Sequence, residues 1–261
     1  MVIGRKLKPD EKLLQSWVVE LKKFVSLDPR INSATIRGGA VLDAFLGLEP
    51  ADIDILYDLK DKNSACICKE LDQKIKESGV FEFYDVDIES SGEKEPKTNA
   101  VERTCGYYSY QTEYNSMLAL CSNGFVSGDS RAWGSIQDLQ YKYRPQALSM
   151  WFGFPNKSKD LKDPFEFTLA LAIRAINYCV RRNLTPDSAT KEFLSNLEIL
   201  CVSKVASPSK QLRSYALKKL NTDYIDKFNS QIFVLPTAVG GWLTKAIEPH
   251  DEDPASTSFP A

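Results

Sequence analysis

A chain of 261 residues, 43% hydrophobic and 26% charged, can enclose one large core or two small ones, and this composition excludes wholesale disorder. A formal charge of −2 exerts no global pull on nucleic acid, so any RNA or DNA contact has to come from a local basic patch. No apolar run reaches the length of a membrane span, and no apolar segment follows the basic residues 4–8 as it would in a secretory signal, so a cytoplasmic protein without a membrane partner is expected.

In chain order, residues 9–27 carry Leu13, Leu14, Trp17, Val18, Leu21, Phe24 and Val25 at intervals of three and four, the spacing of an amphipathic helix. A short apolar run at 33–36 ends a strand at Gly38 and Gly39. Val41, Leu42, Phe45, Leu46 and Leu48 then mark a helix that Gly47 helps to stop. Residues 52–56 alternate as a strand, which places Asp52 and Asp54 on one face. Two carboxylates side by side repel each other, and a hard divalent cation removes that cost. A glycine pair at a strand-to-helix turn admits a ligand to the backbone, where helix N–H groups favour anions. The plainer alternative is a tight turn followed by a solvated strand end.

Residues 58–63 read as a polar turn, 64–76 as a helix with Ala65, Ile67, Cys68, Leu71 and Ile75 inward, and 80–88 as a strand on which Asp85 and Asp87 share a face. Residues 89–99 form a loop, and 100–120 are ambiguous; the cluster Tyr107, Tyr108, Tyr110 and Tyr114 suits either a core or a base-stacking surface. A polar, proline-bearing stretch at 154–162 marks a domain boundary. Helical patterns follow at 163–182 and 185–200, with a basic stretch at 203–219 (Lys204, Lys210, Arg213, Lys218, Lys219) that joins Arg181, Arg182 and Lys191 in a surface suited to an RNA backbone or simply to solvent. Residues 224–243 are weakly patterned, and 249–261 read as a flexible tail. Cys66, Cys68, Cys105, Cys121, Cys179 and Cys201 form no C-x-x-C pair. With His250 as the only histidine, neither zinc nor a Ser/His/Asp or Cys/His arrangement is supported, and buried reduced thiols are expected.

The order of glycine pair, short helix and acid pair, GGAVLDAFLG followed by EPADIDI, resembles the nucleotidyltransferase superfamily of polymerase beta, and within it the head domain of CCA-adding enzymes and bacterial poly(A) polymerases. Gly38, Gly39, Val41, Asp43, Leu46, Gly47, Asp52 and Asp54 keep that pattern, whereas Leu42 stands where the family has arginine. The resemblance implies a third carboxylate on a neighbouring strand; Asp87 is preferred, with Asp85 and Glu102 as alternatives. Asn115, in N-S-M-L-A-L, resembles the end of the family's R-R-D-F-T-I-N-A-M-A motif, although Ser109, Tyr110 and Gln111 stand where R-R-D belongs. Gly134, Asp138, Leu139 and Arg144 continue the likeness. In the neck, Lys162, Asp163 and Glu166 replace the E-D-x-x-R element that reads the incoming base, while Arg174 keeps a familiar A-I-R setting.

The resemblance implies an α/β (α+β) protein: a helix at 1–29 packed on a nucleotidyltransferase head at 30–154 with a small mixed sheet, a helical neck and body at 155–248, and the tail. Asp52, Asp54 and Asp87 would be catalytic and hold Mg²⁺ or Mn²⁺. Gly38, Gly39, Asn115 and Arg174 would bind nucleotide, and Asp43 would order the turn. The implied reaction moves a nucleoside monophosphate from an NTP to an acceptor hydroxyl, most naturally at an RNA (tRNA) 3′ end, and releases pyrophosphate. A divergent transferase that modifies a protein or small molecule, and an inactive nucleotide- or RNA-binding module, are the alternatives; oligomeric state is open.

Overall fold

The structure is a computed structural model that describes residues 10–61, 67–90, 113–144, 164–203 and 208–248. The chain divides into two compact units, 1–147 and 148–261.

The first unit opens with helix α1 (Glu11–Ser26), whose N-terminus is capped by the Asp10 carboxylate accepting from the Leu13 amide at 2.9 Å. Strand β1 (Ile31–Arg37), helix α2 (Gly39–Leu46) and strand β2 (Asp52–Leu59) follow. Gly47, left-handed at φ 69, ends α2, as its place after the last periodic residue predicts. After helix α3 (Cys68–Ser78) come β3 (Asp85–Ser90), β4 (Leu118–Cys121), β5 (Val126–Gly128) and helix α4 (Ser130–Asp138).

The five strands form one mixed sheet in the order β3-β2-β1-β4-β5. β2 and β4 run antiparallel to β1, β5 antiparallel to β4, and β3 parallel to β2. Strand alternation separates two faces. Ile88, Ile55, Ile36, Leu120 and Val126 fall in register on one of them, and Ile36 and Ile55 there are wholly buried. Helix α1 covers that face: Phe24 lies against Tyr57, ring centroids 6.3 Å apart, and Trp17 meets the Tyr84 ring edge-on at 6.0 Å.

Two expectations are corrected here. The strand foreseen at 80–88 begins only at Asp85. Residues 80–84 instead make a turn in which Phe81 takes a left-handed backbone (φ 56) and its amide donates to the Glu20 carboxylate of α1 at 3.2 Å. The polar turn foreseen from residue 58 starts later, because β2 runs on to Leu59 and buries Asp58, whose carboxylate accepts from Ser33 Oγ at 3.1 Å.

The second unit is helical: α5 (Pro164–Arg182), α6 (Ser188–Ser203), α7 (Lys210–Lys219), α8 (Thr222–Lys227) and α9 (Thr237–Ile247), with a single π-turn at Phe228–Ile232. Its core joins α5 to α9 through Phe165 and Trp242, centroids 5.0 Å apart, and Trp242 Nε1 donates to the Cys201 carbonyl at 3.2 Å. The weakly patterned 224–243 therefore holds most of α8, the π-turn and most of α9. Pieces this short display little periodicity.

Cys179 and Cys201 are buried thiols outside any disulfide, as expected, and Cys68 and Cys121 are half-buried thiols, likewise not in disulfides. Burial pushes the Cys201 thiol up to about 11, which keeps it protonated and unreactive. No helix among the described residues is long and apolar enough to cross a membrane.

Candidate active site

The face of the sheet opposite the apolar core carries one continuous row of register partners. From the β3 edge inward it reads Asp87, Asp54, Arg37, Ala119, Ser127. Asp85 and Asp52 form the adjoining acidic pair, also in register. Because β2 and β3 are parallel, partners lie about 4.8 Å apart, and alternate residues on one strand about 6.6 Å apart. The four carboxyl-bearing residues therefore occupy one acidic patch of the sheet. Asp52, Asp85 and Asp87 are exposed and Asp54 is half-buried.

These donors are all hard oxygen ligands, the chemistry that Mg²⁺ or Mn²⁺ prefers. Among the described residues no three such side chains are already drawn together as a ligand set.

The glycine turn stands at the same end of the sheet. Gly38 follows Arg37 directly and has φ 74 and ψ −134, a conformation reserved for glycine. Its amide donates to the Leu118 carbonyl at 3.0 Å, which binds the turn to the start of β4. A Cβ built on Gly38 would sit 3.6 Å from Asp54 Oδ2, an ordinary contact, so backbone conformation rather than space demands glycine here. It also means that the Asp54 carboxylate reaches the turn. Gly39 opens α2, and its N-cap residue, Gly38, supplies no side-chain cap to that helix end.

Asn115 is fully buried and engaged at both ends of its amide: Nδ2 donates to the Gln140 carbonyl at 2.8 Å, and Oδ1 accepts from the Lys142 amide at 2.8 Å. It braces the turn before β4. Beside it lies a trio that sequence reasoning left unassembled. Arg131 binds the Asp129 carboxylate through Nε at 2.8 Å and Nη2 at 2.7 Å, donates to Tyr114 Oη at 2.9 Å, and lies 4.1 Å over the Tyr114 ring. The Arg131 guanidinium holds the Asp129 carboxyl below the usual carboxylate range. Tyr114 is thereby packed under a cation; Tyr107, Tyr108 and Tyr110 lie outside the described residues, as do Glu102, the Ser109–Gln111 positions, Lys162, Asp163 and Lys204.

Arg174, Glu166 and the basic residues belong to the second unit. Arg174 Nη2 donates to Tyr178 Oη at 3.1 Å, and Arg182 lies 4.0 Å over the same ring. Glu166 accepts from the Ser209 amide at 2.7 Å and from Ser209 Oγ at 2.5 Å, fixing the residue that caps α7. Buried Arg213 donates to the Lys245 and Glu248 carbonyls at the end of α9. Of the basic residues foreseen as an RNA surface, Arg182 and Arg213 are thus internal, while Lys191, Lys210, Lys218 and Lys219 are exposed.

Arg37 is the residue of this site that the sequence did not disclose. It is 3% exposed and sits between Asp54 and Ala119 in the row. Alternation alone pairs it with Thr35; only the antiparallel register to β2 brings it opposite Asp54.

No protein-family model and no curated protein matches the chain. Solved structures do. A tRNA-processing enzyme in an apo form matches at 16% identity and TM-score 0.56, over 94% of this chain and 60% of that one. A CCA-adding enzyme in complex with ATP matches at 15% identity and TM-score 0.54, over 84% and 50%. The Thermotoga maritima CCA-adding enzyme in complex with tRNA matches at 14% identity and TM-score 0.50, over 84% and 50%. This chain therefore spans between 50% and 60% of the length of those structures. The likeness shows the fold: a mixed α/β architecture shared with CCA-adding enzymes, in agreement with the resemblance carried by the glycine pair and the D-x-D.

Proposed function

We propose that the chain is a divalent-metal-dependent nucleotidyltransferase that moves a nucleoside monophosphate from an NTP to an acceptor hydroxyl, most naturally the 3′ end of an RNA such as tRNA. The observation that carries this reading is the shared face and register of Asp52–Asp85 and Asp54–Asp87 beside the Gly38 turn. The fold shared with CCA-adding enzymes supports it.

Asp52, Asp54 and Asp87 are the residues that would hold Mg²⁺ or Mn²⁺, with Asp85 next to them. Such an ion supplies Lewis-acid activation of the attacking hydroxyl and neutralises charge on the leaving phosphates. Gly38 and Gly39 let the triphosphate reach the uncapped α2 N-terminus, whose N–H groups and dipole favour an anion. Asp87 orients the acceptor hydroxyl and receives its proton. The acceptor oxygen then bonds to the α-phosphorus as the bond from that phosphorus to the bridging oxygen breaks, and pyrophosphate leaves. Asn115 and the Asp129–Arg131–Tyr114 trio brace the turns that flank β4 and β5. The exposed lysines Lys191, Lys210, Lys218 and Lys219 would offer a basic surface to an RNA backbone.

A second acceptor class is favoured by one observation. Glu166, at the position where the resemblance expects a base-reading arginine, is committed to capping α7 through Ser209. Base selection by that position is therefore not carried over from the resemblance, which suits a transferase acting on a protein or small molecule. Incubation with each labelled NTP, Mg²⁺ and either total RNA or total protein separates the two. Label on RNA supports the first acceptor and label on protein the second. Nucleotide binding without transfer to either would leave only a binding module.

A further inference from the structure

We propose that Arg37 is a built-in counter-charge for Asp54, which disfavours a divalent ion on the bare carboxylates and couples ion binding to the arrival of the anionic triphosphate. This inference rests on the metal-dependent reading above and names a positioning residue within that site.

Three observations lead to it. Arg37 is 3% exposed, so its guanidinium is withdrawn from solvent and does not reach out to an incoming ligand. It stands directly opposite Asp54 in the antiparallel β1–β2 pair, which puts both side chains on one face with Cβ atoms about 5 Å apart. On its other side the row continues through fully buried Ala119 to Ser127, two small residues that leave room for an arginine stem and offer no charge. The Asp54 carboxylate also reaches the turn next to Arg37, since its Oδ2 lies 3.6 Å from where a Gly38 Cβ would be.

A buried guanidinium is costly unless anions surround it, and it keeps its charge at any physiological pH. Placed beside Asp54 it relieves the repulsion among Asp52, Asp54, Asp85 and Asp87. The same positive charge opposes a bare cation at those acids. A triphosphate adds several negative charges at the Gly38 turn, so ion and nucleotide together are balanced where the ion alone is not. The two ligands are thereby positively coupled, each tightening the other by the same factor.

The test uses the full chain, Mn²⁺ as the ion and a non-hydrolysable ATP analogue as the triphosphate, with Mn²⁺ binding read by electron paramagnetic resonance. The wild type is expected to bind Mn²⁺ weakly alone and at least about tenfold more tightly with the analogue. R37Q and R37M, which keep the stem but not the charge, should bind Mn²⁺ alone about tenfold more tightly than wild type and gain less from the analogue. R37K, which keeps the charge, should behave as wild type; a merely structural arginine would not separate lysine from glutamine in this way. Equal coupling in wild type and the neutral variants overturns the role of Arg37 and leaves the metal reading intact. Absence of Mn²⁺ binding by the wild type with the analogue present overturns both. If the neutral variants do not fold, wild-type Mn²⁺ binding that is as tight without the analogue as with it still overturns the proposal.

Discussion

Asp54 and Asp87 stand side by side on parallel strands, although a whole helix, α3, separates them in the chain. A parallel neighbour keeps its side chain on the same face at the same level, so the pair is set by the crossover and not by local sequence. If these acids carry the chemistry, Asp54→Asn should lower transfer at least about a hundredfold while the circular dichroism spectrum is unchanged. Asp87→Asn should do nearly the same and Asp85→Asn less, because Asp85 partners the outer acid Asp52. Melting temperatures of Asp85→Asn and Asp87→Asn should hold or rise, since each change removes like-charge repulsion, whereas Asp54→Asn takes a counter-charge from buried Arg37 and should melt lower. Full activity in Asp54→Asn would refute the assignment.

The glycine turn yields a separate expectation. Gly38→Ala places no atom in forbidden space but imposes a backbone conformation that alanine resists, at a cost of about 1–3 kcal/mol. The measurement is a denaturant midpoint. A change of less than a few tenths of a kcal/mol would mean that the turn adopts another conformation.

Much of this architecture was legible before any coordinates. The apolar spacing of α1, α2 and α5, the Gly47 stop and the alternation through Asp52 and Asp54 each express a local period, and local periods are written in the chain. The start of β3 was misread because VFEFYDVDI alternates throughout. What stops the strand short is the Phe81 turn, held by a carboxylate from Glu20 on a distant helix. Arg37 was invisible for the same reason: opposition to Asp54 is a property of pairing register, which one strand's sequence does not contain. The internal use of Glu166 and Arg213 likewise depends on where α7 and α9 pack.

Glu166 offers a clean test of that last point. Glu166→Ala removes two hydrogen bonds to Ser209 and should cost about 1–3 kcal/mol. Glu166→Arg, which restores the residue the resemblance expects, should destabilise at least as much and should not sharpen the choice of base. A base preference gained by that variant would show that the position still reaches nucleotide.

Asp28 is expected to contribute to the acid limb of stability. Its side chain, 2% exposed, accepts from the Arg30 amide and Nε at 2.9 Å each and from Lys74 Nζ at 2.7 Å, joining the entry of β1 to α3. The Arg30 guanidinium, followed by Lys74, holds its carboxyl well below the usual range. Since the folded value lies below the unfolded one, the stabilisation is fully present above about pH 4 and is lost as pH falls from there. Asp28→Asn should therefore lower the melting temperature at pH 7 and flatten its fall between about pH 4 and pH 2. An unaltered pH profile would place the acid sensitivity elsewhere.

Among the described residues β3 closes one side of the sheet, with Asp85 and Asp87 exposed there. An open strand is a template on which another molecule's strand can stack, and negative charges along it discourage such adhesion. Asp85 and Asp87 are expected to discourage such stacking wherever that side of β3 meets solvent. Variants that neutralise both would be prone to fibrous aggregation even where their catalytic loss is the effect first noticed.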